Sequence, residues 1–71
     1  MNREVLRFIR VSRKLSVRKF AERLGVSHAL ISAIEGDRRL TENVQKKVVE
    51  TFGLTDEKLV SIKLLINEIK N

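Results

Sequence analysis

Between Val17 and Gly36 the chain reads VRKFAERLGVSHALISAIEG, and this stretch restricts the fold more than any other. Ala21 lies midway along one apolar-periodic segment, where a small side chain lets a second helix approach closely. Gly25 follows four residues later, where the chain must turn sharply and glycine takes a left-handed backbone angle at little cost. Ile31 and Ile34, three apart beyond the turn, share one face of a second helix. Phe20, Leu24, Val26 and Leu30 fill the space between. Few folds require small, glycine, apolar and apolar residues at these four offsets.

The rest of the chain is consistent with an all-α domain. Its 71 residues contain no Pro, only three Gly, and many Leu, Lys, Arg, Glu and Ala. That length is near the lower limit for unaided folding, and without Cys no disulfide or thiolate metal site can help. Five helices are predicted. The first runs from Arg3 to Lys14, with Val5, Leu6, Phe8 and Ile9 inward. Ser16 caps a second to Leu24, and Ser27 a third to about Glu35. A loop over 37–40 follows. Thr41 and Glu42 open a fourth helix with Val44, Val48, Val49 and Phe52 inside, stopped by Gly53. Thr55, with Asp56 and Glu57 in the first turn, opens a fifth over about 56–70. Neither linker nor repeat divides the chain, so 1–71 reads as one domain. No apolar run reaches the ~18 residues of a membrane span, and the charged N-terminus lacks a signal-peptide core. A soluble, cytoplasmic protein is expected.

Charge is unevenly distributed. Residues 1–40 carry ten Lys/Arg against four Asp/Glu, whereas residues 41–71 carry five of each. All eight arginines fall in the first part. Such clustering is the footprint of a polyanion such as double-stranded DNA, the alternative being a generally basic surface. An anionic membrane fits less well, because the cations spread over three segments rather than one amphipathic helix.

With the segment LSVRKFAERLGVSHALISAIEGDRR in register, residues 5–60 resemble the phage Cro and repressor (XRE-type) helix-turn-helix domains. The resemblance implies a five-helix, lambda-repressor-like DNA-binding domain with its helix-turn-helix at helices 2 and 3. It also implies an ion pair between Arg10 in helix 1 and Glu35 at the end of helix 3. Three positions depart from the family pattern. Val17 replaces a Gln that contacts DNA, Lys14 stands where Gly is common in the helix 1–2 turn, and Asp37 stands where Gly follows helix 3. Lys and Asp can be accommodated in such turns at some cost.

The outer face of helix 3 is expected to carry Ser27, His28, Ala29, Ser32, Ala33 and Gly36, a small and nearly uncharged set. Either it lies deep in a major groove, with Ala29 and Ala33 on thymine methyls and Ser27, His28 and Ser32 on base edges, or it docks a protein. Candidate phosphate contacts are Arg18 and Lys19 at the start of helix 2, Arg38 and Arg39 after helix 3, Asn43, Arg13 and Lys14. His28 is the sole histidine, with no ligand set around it. No catalytic, metal or cofactor site is therefore expected. Helix 5 holds more apolar residues than one stripe needs, with Leu59, Ile62, Ile66 and Ile69 on one face and Val60 and Leu64 beyond it. It either covers the core or pairs with a second copy through Leu59, Val60, Ile62, Leu64 and Ile66. The resemblance implies a two-fold dimer on a palindromic operator, and the length suits a complete Cro-sized protein. The other readings are an antitoxin or adaptor that binds a protein through helix 5, and the DNA-binding part of a longer repressor.

Overall fold

The computed structural model of the protein describes residues 1–70, and side chains as far as Ile69. It is all-helical: α1 (Arg3–Ser12), α2 (Val17–Leu24), α3 (His28–Gly36), α4 (Glu42–Phe52) and α5 (Asp56–Lys70). Each helix starts on a polar side chain that accepts from a backbone N–H three residues on: Asn2, Ser16, Ser27, Thr41 and Thr55. These caps satisfy N–H groups that the helix itself leaves without acceptors.

Three helices end in the same way. After α1, α2 and α4 the backbone turns left-handed at Lys14 (φ 57°), Gly25 (φ 72°) and Gly53 (φ 59°). The next residue is apolar, and its N–H returns to a carbonyl in the last turn: Leu15 to Arg10, Val26 to Ala21, Leu54 to Val49. This closure spares last-turn carbonyls and folds the apolar residue back onto the core. Lys14 thus occupies a glycine slot, and α1 stops at Ser12 rather than continuing to Lys14. The expected cost at Asp37 is absent, because Asp37 has a negative φ of −151°. There the chain leaves α3 with the Asp37 and Arg38 N–H groups both on the Ala33 carbonyl, each at 2.8 Å.

The core is built from Val5, Leu6 and Ile9 of α1, Phe20, Ala21 and Leu24 of α2, Ile31 and Ile34 of α3, Val44 and Val48 of α4, and Leu54. α1 packs on α3 and α5, and α2 on α3 and α4. Phe20 stacks on Phe52 with ring centroids 5.5 Å apart, an arrangement that contributes about 0.5–1.5 kcal/mol beyond area burial. The apolar residues of α5 divide. Leu59, Ile62 and Ile66 are half-buried against the core, so these three dimer candidates are occupied within the chain. Val60, Leu64 and Leu65 are exposed, and so is Ile69 at 77%, against the expectation that it lies inward. Ten-residue α1 spans roughly 15 Å and fifteen-residue α5 roughly 22 Å, so α1 cannot cover the full length of α5.

Candidate nucleic-acid interface

α2 and α3 cross at Gly25, with Ala21 buried between them. Burial of Ile31 and Ile34 turns Ala29 and Ser32, on the opposite side of the helix, to solvent, and His28 is exposed at the flank of that face in the first turn. Ser27 is exposed too, but its Oγ accepts from the Leu30 N–H at 3.2 Å, so it caps α3 as well as facing outward. Ala33 is half-buried, which removes it from the centre of the expected face. The exposed set on α3 is therefore short-chained and carries no acid or base except His28.

The orientation of α3 is fixed from α1. Arg10 Nε donates to Glu35 Oε2 at 2.7 Å and Nη2 to Oε1 at 2.9 Å, a two-pronged pair. Its Nη1 donates to the Leu15 carbonyl at 2.9 Å, tying in the α1–α2 turn. Only 15% of the Arg10 side chain and 11% of Glu35 are exposed. Such forked, charge-assisted bonds set angle as well as distance. The bonds to Glu35 push the guanidinium pKa further up, against a smaller opposing effect of burial. Arg3 also reaches α3, its Nη1 donating to the Gly36 carbonyl at 2.6 Å. Sequence reasoning missed this contact, since a backbone acceptor 33 residues away leaves no side-chain signature.

Exposed cations flank α3 along the chain. A notch lined by Arg18, Glu22, Ser27 and His28 brings the first turn of α2 beside the start of α3. The Lys19 N–H is taken by Ser16 Oγ at 3.1 Å, so the groups at this helix start without an intrahelical acceptor are those of Val17 and Arg18. Lys19 Nζ lies 3.7 Å from the Glu22 carboxylate, an exposed pair that contributes little. Arg38 and Arg39 are exposed on the loop after α3, and Asn43 is exposed in the first turn of α4. Lys14 is exposed on its left-handed turn. Arg13 is placed differently, its guanidinium 4.5 Å from the Phe52 ring centroid, a cation–π contact that draws it towards α4. Val17 packs on the core, so it offers no polar contact at the start of α2.

Among the described residues no group of His, Cys, Asp or Glu is placed to hold a metal ion, and no helix is long and apolar enough to cross a membrane. No curated protein and no solved structure matches the chain. A family model described as a helix-turn-helix domain matches residues 4–65, from the first turn of α1 into α5. The chain belongs to this helix-turn-helix domain family, an XRE-like family of DNA-binding proteins.

Proposed function

We propose that the protein is a sequence-specific transcriptional repressor of the phage Cro/repressor type. In this reading it is a cytoplasmic non-enzyme, and residues 1–71 act as one DNA-binding domain. It places α3 in the major groove of double-stranded DNA and binds a palindromic operator as a homodimer. One observation carries the reading: the exposed face of α3 is short-chained and lies between exposed cations, Arg18 before it and Arg38 and Arg39 after it. Short side chains let a helix lie deep in the groove, with Ala29 against thymine methyls and His28 and Ser32 at base edges. A protein-docking helix would instead present large apolar anchors. The exposed large hydrophobics lie on α1 and α5, and none is on α3.

Affinity comes chiefly from phosphates. Neutralising six of them gives log K a slope of about −5 against log salt. Val60 and Leu64, 56% and 59% exposed on α5, support pairing between copies, with half-sites roughly 34 Å apart. The same residues favour a second reading, an antitoxin or adaptor that binds a protein through α5. Selection from random duplexes at physiological salt, followed by sedimentation of the protein with the selected duplex, tests both. Enrichment of a palindrome bound by two copies is expected. If no sequence is enriched over bulk DNA, specific recognition is abandoned and the adaptor reading takes its place.

A further inference from the structure

Short side chains on α3 make base contact depend on where the helix axis lies, not on reach. We propose that Arg3 is a positioning residue for α3, which fixes its C-terminal end and the departure of the loop carrying Arg38 and Arg39. The inference rests on the DNA-binding reading above and extends it to a residue remote from the outward face.

Three observations converge on Arg3. α3 has no basic residue in its last turn, although the negative end of the helix dipole lies there and a cation stabilises it. Arg3 supplies that cation from α1. The Gly36 carbonyl is one of the last four in α3, which have no intrahelical donor, and Arg3 Nη1 donates to it at 2.6 Å. Arg3 and Arg10 are seven residues apart, two helical turns, and therefore share one face of α1. That face holds α3 at two points, the Glu35 side chain and the Gly36 backbone. Both points lie at the C-terminal end of α3, where they add to the hold that buried Ile31 and Ile34 give the body of the helix.

The test compares Arg3→Ala and Arg3→Lys with Arg7→Ala, which removes the same charge one turn along α1. In the free protein, Arg3→Ala is expected to speed amide exchange at Asp37 and Arg38 severalfold, and Arg7→Ala to leave it unchanged. On DNA, the ratio of affinities for the selected and a random duplex falls about fivefold in Arg3→Ala, the loss of one charge-assisted bond in an exposed setting. Arg3→Lys recovers part of that ratio, while Arg7→Ala lowers both affinities alike. Two results overturn the proposal. One is unchanged exchange at Asp37 and Arg38. The other is equal weakening on both duplexes with a salt slope smaller by about one, which makes Arg3 a phosphate contact. Failure of the wild-type chain to select any duplex refutes the DNA reading alone, and amide exchange still decides whether Arg3 anchors α3.

Discussion

Replacing Arg10 by Met removes three hydrogen bonds at once, to both Glu35 oxygens and to the Leu15 carbonyl. The Glu35 carboxylate, 11% exposed, is then left largely desolvated without its counter-charge. Breaking a buried pair from one side costs about 3–5 kcal/mol, and the residual exposure here places Arg10→Met near the lower end, at about 3 kcal/mol. Glu35→Leu keeps the apolar contacts but strands the guanidinium, which retains Leu15 and has some access to water, so about 2 kcal/mol is expected. The double variant leaves no unpaired charge and loses chiefly the bond to the Leu15 carbonyl, so about 2 kcal/mol is expected, giving a coupling of about 3 kcal/mol. A chain of this length has roughly 4–11 kcal/mol of stability in total, so Arg10→Met should lower Tm by about 15 °C. Since the chain has neither Trp nor Tyr, urea unfolding is followed by far-ultraviolet circular dichroism. The raised guanidinium pKa contributes stability that is complete below the ordinary arginine value and lost only above it, so Arg10 adds no pH dependence across neutral pH. If the two single losses sum to the double loss within about 0.5 kcal/mol, Arg10 and Glu35 are not coupled and Glu35 does not depend on Arg10 for its counter-charge.

Lys14→Gly relieves a left-handed residue and should raise stability by about 0.5–1 kcal/mol; Asp37→Gly, at negative φ, should give no gain in the same urea titration. Arg18→Ala should weaken all duplexes alike and reduce the salt slope by about one, whereas Ser32→Ala or His28→Ala should alter preference at one base by about 1–3 kcal/mol. A sequence-selective effect at Arg18 would refute its assignment to phosphate. Leu64→Lys should abolish dimers in sedimentation with stability changed by no more than about 0.5 kcal/mol, while Ile62→Lys, on the core side of α5, should unfold the monomer. Dimers surviving in Leu64→Lys would remove α5 from the interface.

The residues that encode local geometry were the legible ones. Ser16, Ser27, Thr41 and Thr55 mark helix starts because their side chains complete a bond within three residues, and Gly25 and Gly53 mark ends because the left-handed angle suits glycine. The α1–α2 turn has the same backbone shape, but Lys14 holds the glycine slot; likeness to a family exposed the turn, where residue preference would not. Contacts between distant segments left weaker traces. Arg3 on Gly36 and Arg13 on Phe52 involve a backbone oxygen and an aromatic face, so no complementary charge announces them. On α5, periodicity put Ile69 with Leu59, Ile62 and Ile66, yet Ile69 is exposed. Periodicity records which residues share a face, but not how far the facing helix extends.

The plain face of α3 and the strength of its anchoring answer one physical requirement. A long arginine or glutamine can adjust its rotamers to meet a base edge, whereas Ser32 and Ala29 cannot, so the base reading proposed above requires the helix to be placed to within hydrogen-bond tolerance, a few tenths of an ångström. Ala21 and Gly25 set the approach of α2, and Arg10 holds the far end of α3 through Glu35. Short readers also have little rotamer entropy to lose, close to none for Ala against roughly 1.5–2 kcal/mol for an ordered Arg. Specific contacts on such a face are individually small but carry little ordering cost. The arginines proposed to face phosphates are long and exposed, and would bear that cost where the large electrostatic gain offsets it. Affinity and selectivity are thus assigned to different side chains, which is why Arg18→Ala and Ser32→Ala should have separable effects on the same duplexes.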